Sequence, residues 1–138
     1  MAQQKVVVVR EFSRPVEAIF AELADHNNLK KVFGIPVKRI QDGQGDVNGV
    51  GSTRRMGLFH PLAVDETVVA VTPNQSIDYV ISKGGYPIRN HHGRLDFSAT
   101  GKGSRVQWVI EFDSLPGVGP VLKFVLGQAL GVGLKRLG

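Results

Sequence analysis

The segment Gly117–Leu137 is apolar almost throughout and salted with glycine, with only Lys123, Gln128, Lys135 and Arg136 polar. Val118, Val121, Leu122, Val125, Ala129, Val132 and Leu137 recur at helical spacing, the pattern of a helix with a wide buried stripe. Such a helix is roughly 30 Å long at 1.5 Å per residue, the width of a small domain. Gly127 and Gly131 stand one turn apart within it. Each weakens a helix by about 1 kcal/mol relative to alanine, which marks a place where a sheet backbone or a bound molecule comes close. The rest of the chain must therefore supply a surface for one long, poorly amphipathic helix.

The preceding sequence supplies it as strands. Lys5–Phe12 contains four consecutive valines, a β-branched run expected in a strand buried on both faces or at a sheet centre. Ser13, Arg14 and Pro15 announce a helix, serine as its cap and proline at its first position; Val16, Ile19, Phe20 and Leu23 give it one apolar side. Asp25–Asn28 break it, and Leu29–Phe33 make a second short helix before Gly34 and Pro36. Strands separated by turn clusters follow: Val37–Ile40, Val50–Gly57, Ala63–Val71, Ser76–Ser82, Arg89–Thr100 and Ser104–Phe112. Pro73–Asn74 and Gly101–Gly103 are tight-turn signals between neighbours. The expected fold is α+β: a curved, seven-stranded antiparallel sheet, two short helices, and the long C-terminal helix closing one face over a cavity.

A chain of 138 residues, 42% hydrophobic and 21% charged, fits one domain spanning 1–138. No tract is apolar for long enough to span a bilayer. Met1–Lys5 lack the charged start and apolar run of a secretory signal, so a cytoplasmic location is expected. There is no cysteine, which removes disulfides and sulfur-based zinc sites. The net charge of +5 suits an acidic partner, yet the basic residues are scattered. Arg54–Arg55 and Lys135–Arg136 are only pairs, and no basic run is interleaved with aromatics, so nucleic acid is not expected as a partner.

If Val50–Gly57 and Ala63–Val71 form a hairpin centred near His60, Arg54 faces Glu66 across it. Ser52, Arg54 and Met56 then share one face, as do Val64, Glu66, Val68 and Ala70. Three roles stay open for the charged pair: a cross-strand salt bridge on the solvent face, an anchor for a ligand's polar end, or a pair that moves a proton. His91 shares parity with Leu95 and Phe97, which would turn it inward, and three readings stay open for it: a surface histidine, a hydrogen bonder in the pocket, or a general acid or base. A bulge at His92–Gly93 would bring His92 inward instead. Trp108 shares parity with Val106, Ile110 and Phe112, the mark of a core position, while Gln107, Val109 and Glu111 stand opposite. His60, His91 and His92 lack the spacing of metal ligands, and no nucleophile motif, phosphate loop or cofactor signature is present.

The order of elements, with Ser13–Arg14–Pro15–Val16 opening the first helix, resembles the START-like helix-grip superfamily, also called SRPBCC. Gly51–Arg54, Asp65–Val68, Tyr79, Pro87, Gly103–Ser104 with Val106 and Trp108, and Gly133–Leu134 with Leu137 are similar to its polyketide cyclase/dehydrase branch, related to the pollen-allergen-like and plant hormone-receptor proteins. The resemblance implies binding of a small hydrophobic molecule, such as a lipid or polyketide, between sheet and helix. Its alternative is a cofactor-free cyclisation, dehydration or isomerisation in the same space. It further implies that an arginine and a glutamate at Arg54 and Glu66 line the cavity and, in lachrymatory-factor-synthase-like members, act on the substrate. A tyrosine stands near the place of His91 in the hormone receptors. Arg54, Glu66 and His91 are thus the candidate catalytic residues, and Ser52, Met56, Val68, Val80, Trp108 and Val125 the candidate ligand contacts. The loops Lys83–Pro87 and Leu58–Leu62 are either simple turns or, by the same resemblance, gates. Some relatives carry extra turns on the last helix, so an end at Gly138 implies either an incomplete chain or an open end of the cavity.

Overall fold

A computed structural model describes residues 2–57 and 63–138. The chain runs β1 (Ala2–Phe12), α1 (Val16–Ala24), a 3-10 turn (His26–Asn28), α2 (Leu29–Phe33), β2 (Val37–Gln41), β3 (Thr53–Met56), β4 (Val64–Thr72), β5 (Ser76–Lys83), β6 (Arg89–Thr100), β7 (Gly103–Ser114) and α3 (Gly119–Lys135). The seven strands form one antiparallel sheet in the order β1-β7-β6-β5-β4-β3-β2. The three helices and the buried apolar side chains of the sheet share one core, which gives the expected α+β helix-grip fold.

Each strand from β2 onward pairs with its sequence neighbour, whereas β1 pairs with β7 along its whole length, Ala2 opposite Ser114 through Phe12 opposite Ser104. The four-valine strand is therefore a sheet edge, not its centre. Val6 is buried under α3, but Val7 and Val9 are about half exposed. Covering helices on one face only leave the outward set of any strand in solvent, however β-branched it is. Register shifts interrupt β2–β3 at Arg39/Gln41, β4–β5 at Asp65/Glu66 and Val68/Ala70, and β6–β7 at Arg89/His92. Bulges of this kind bend strands and raise their twist, which lets the sheet curl around the helices. The shift near Val69 also turns Val71 toward the core and leaves Ala70 exposed.

The first helix begins without a serine cap. Pro15 occupies the cap position, and its carbonyl accepts from the Ala18 and Ile19 N–H groups at 3.1 and 3.2 Å. Arg14 instead binds Glu22 and the Leu137 carbonyl, each at 2.9 Å, tying the helix start to the end of the chain.

The last helix presents a different face from the one its valines predict. Leu122, Leu126, Leu130 and Leu134, spaced every four residues, lie toward the sheet, while Val121, Val125 and Val132 are more than half exposed. A segment apolar on every side carries no periodicity strong enough to choose a face, so the longer leucines, which reach the sheet, take it. The close approaches also fall elsewhere. A Cβ on Gly127 would stand 3.8 Å from Val6 and one on Gly131 would meet nothing, but on Gly133 it would lie 2.4 Å from the Val32 carbonyl. Gly133 is where α2 and α3 touch backbone to side.

Candidate functional site

The strands β3 and β4 pair Arg54 with Glu66 in direct register. Both side chains point inward and are buried, 4% and 10% exposed, so the solvent-face salt bridge is overturned. Arg54 donates from Nε to Glu66 Oε1 at 2.9 Å, with Nη2 at 2.7 Å from the same oxygen. Its third nitrogen, Nη1, donates to His26 Nδ1 at 3.1 Å. The guanidinium carbon lies 4.6 Å from the centre of the Tyr79 ring, a cation–π contact with both partners out of water. Each of the three nitrogens of the cation thus has a partner, and one face of it has the Tyr79 ring.

His26 is fully buried, although nothing in the helix break Asp25–Asn28 marks it locally. Its protonation follows from its partners. The Ser52 hydroxyl gives its proton to the Gly49 carbonyl, so it must accept from His26 Nε2, 2.7 Å away. Nδ1 is then the lone pair that receives Arg54. Burial, with the charges of Arg54 and Arg39, lowers the His26 pKa to about 3, and the ring is a neutral link that fixes Arg54. Ser52 belongs to this buried chain and is not a cavity contact.

Tyr79 extends the network on the other side. Its hydroxyl accepts from Trp108 Nε1 at 2.8 Å, and burial first, then Glu66, raise its pKa. The ring crosses directly over Gly93, its partner in register, where a Cβ would come within 2.1 Å of Cζ. Only glycine leaves room for it. Trp108, 1% exposed, is core that braces Tyr79 and not a cavity wall.

Beside these groups a cavity of about 480 Å³ opens between the sheet and the first half of α3. Met56, Val64, Ile81 and Ile110 line it from the sheet, Phe33 and Ile35 from α2 and its exit, and Leu122, Leu126 and Leu130 from α3. Glu66, Tyr79 and His91 bring polar atoms to it. His91 Nδ1 accepts from the Ile81 N–H at 3.1 Å, which leaves Nε2 as the donor. Burial lowers the His91 pKa, and the Glu66 carboxylate partly counters it. The bulge before His92 keeps His91 inward and puts His92 outside, on Asp78 at 2.9 Å. Gly85, Tyr86 and Pro87 form part of the rim; the other expected gate, 58–62 with His60, lies outside the described residues. A second hollow, of about 580 Å³, is a groove against Glu11–Ser13 and Thr100–Lys102, far along the chain from this network and without a buried polar cluster.

The structure thus gathers Glu66, His91 and Met56 around one chamber, with Arg54 bound to Glu66 but outside the lining. Besides Ser52 and Trp108, three more expected contacts fall away from it. Val68 is core below the cavity; Val80 points away because Tyr79 and Ile81 beside it turn inward; and Val125 is 54% exposed on the outer side of α3. Gln107, Val109 and Glu111 stand on the face opposite Val106, Trp108 and Ile110. The basic pairs are also spent separately. Arg55 grips Asp65 with two bonds of 2.9 and 3.0 Å, and Arg136 donates to the Lys31 and Val32 carbonyls at the end of α2. Among the described residues no cluster of three His, Asp or Glu stands ready for a metal, and no helix is long and apolar enough to cross a membrane.

Comparison with solved structures returns the same architecture at low identity. A protein from Nitrosospira multiformis is 18% identical with a TM-score of 0.75, covering 98% of this chain and 97% of that one. One from Mesorhizobium loti is 15% identical with a TM-score of 0.72, covering 97% and 93%. Norcoclaurine synthase from Thalictrum flavum, solved with dopamine and hydroxybenzaldehyde, is 14% identical with a TM-score of 0.68, covering 99% and 87%. A search of curated proteins finds no match. The family model described as polyketide cyclase / dehydrase and lipid transport matches residues 3–138, and the chain belongs to that family.

Proposed function

We propose that this protein binds a small, largely hydrophobic molecule in the chamber between the sheet and the first half of α3. The observation that carries the reading is the combination of about 480 Å³ of space, a wall made mostly of apolar side chains, and a few polar groups, from Glu66, Tyr79 and His91, within it. Pockets for small ligands have this composition: apolar lining for affinity and a few fixed polar atoms for orientation. The family description and the ligands held by norcoclaurine synthase support the same reading. The test is a titration with the neutral probe N-phenyl-1-naphthylamine. Saturable fluorescence enhancement at one site per chain, displaced by lipids or aromatic polyketides, is expected; a folded protein that takes up no probe overturns the proposal.

One feature favours a second reading, a cofactor-free isomerase or dehydratase. Glu66 uses Oε1 for Arg54, so Oε2 is left to accept a proton while neutral His91 offers one from Nε2. Glu66→Gln separates the two readings. Lost turnover with retained affinity marks proton chemistry, whereas loss of affinity alone marks binding.

A further inference from the structure

Resting on the cavity reading above, we propose that the molecule held there carries an uncharged polar head that both donates and accepts a hydrogen bond, a hydroxyl or enol, and that carboxylates and ammonium ions are selected against. The reason lies in where Arg54 is committed. Nε and Nη2 go to Glu66, Nη1 goes to His26, and one face of the guanidinium lies on Tyr79. Arg54 is 4% exposed and does not reach the cavity wall. An arginine at this place in the sequence looks like an anion receptor, but here the two N–H groups that Glu66 and His26 leave over belong to a buried guanidinium outside the cavity lining.

Beside Tyr79, whose hydroxyl oxygen already accepts from Trp108, the cavity presents one acceptor at Glu66 and one donor at His91. Glu66 lines it with Oε1 already committed, so a ligand meets Oε2. His91 lines it with Nδ1 committed to the Ile81 N–H, so a ligand meets Nε2–H. A hydroxyl can give its proton to the first and accept from the second. A carboxylate has nothing to give Glu66 and brings a second negative charge beside it. An ammonium has nothing with which to accept from His91. Because Arg54 already balances Glu66, the site holds no net charge to offset the desolvation of an ion of either sign entering an aliphatic chamber.

The test keeps the hydrophobic body constant and varies the head. 2-Naphthol, 2-naphthoate, 2-naphthylmethylammonium and naphthalene are competed against N-phenyl-1-naphthylamine at pH 7.5 on the intact chain. Naphthol is expected to bind at least fivefold more tightly than each of the other three. In Glu66→Gln the carboxylate's charge is gone and that of Arg54 stands unbalanced, so the naphthol-to-naphthoate preference is expected to fall at least fivefold. A wild-type preference below fivefold over naphthoate or the ammonium overturns the proposal and leaves the cavity reading standing. Failure of the probe itself to bind overturns the cavity reading. The wild-type series needs no variant, so a folding defect in Glu66→Gln does not blunt it.

Discussion

His26 is the residue whose chemistry is most tightly determined by its surroundings. Buried and neutral between Ser52 and Arg54, it titrates near 3 in the folded protein and near the ordinary 6.5 in the unfolded chain. The folded state therefore binds fewer protons than the unfolded state between these values. Stability is fully present above pH 6.5 and falls as acid is added, by about 2 kcal/mol from this ring at pH 5 and about 4 kcal/mol at pH 3. His91, also lowered, adds to the same limb. Glutamine at position 26 keeps a donor and an acceptor without titrating. Urea unfolding of His26→Gln from pH 7 to 4 is expected to show a stability slope shallower by about one proton; a slope equal to wild type would rule out the neutral link. Arg54→Leu tests the pair that this link holds. It leaves the Glu66 carboxylate buried without its cation, a loss of about 3–5 kcal/mol, whereas Glu66→Gln, which still offers Arg54 an oxygen, costs less. Equal losses in equilibrium unfolding would contradict the geometry.

At the scale of elements, glycine separates what sequence could show from what it could not. Gly127 and Gly131 stand on α3 with open space or ordinary contact beside them, while Gly133 meets the Val32 backbone and Gly93 lies under the Tyr79 ring. Gly127→Ala and Gly131→Ala are thus expected to stabilise the protein by up to about 1 kcal/mol each. Gly133→Ala and Gly93→Ala should destabilise it by about 1–3 kcal/mol or more through overpacking, and thermal unfolding of the four variants checks the opposite signs. Nothing local distinguishes these glycines, because the neighbour that decides is distant in the chain. The strands and the short helix Leu29–Phe33 were legible because alternation, turn residues and helix breaks are local signals. The Arg54–Glu66 register was legible for the same reason, one hairpin apart. His26 was not, since its partners Ser52 and Arg54 lie 26 and 28 residues away. Nor was the buried side of α3, where valine and leucine satisfy the same periodicity and only the curved sheet chooses between them.

Taken as a whole, the molecule spends its apolar residues unevenly, and the division runs along α3. Leu134 and Leu137 are buried in the core with Val32, while Leu122 and Leu126 in the first half are only partly buried, over the cavity, which the buried Leu130 also lines. One end is a core that folds the domain; the other is held open by a bent sheet. A void of this kind leaves its lining without packing partners, so filling it should strengthen the protein at the expense of its capacity. Ala129 lines the chamber, and tryptophan there projects an indole into existing space. Ala129→Trp is expected to raise stability by about 1 kcal/mol and to weaken N-phenyl-1-naphthylamine binding at least tenfold. Val132→Trp, one turn on but on the exposed side of α3, adds the same ring and should leave binding as it was. If Ala129→Trp unfolds the protein, the space is too small to admit an aromatic guest; if it folds and still binds the probe as wild type does, the guest sits somewhere other than beneath α3.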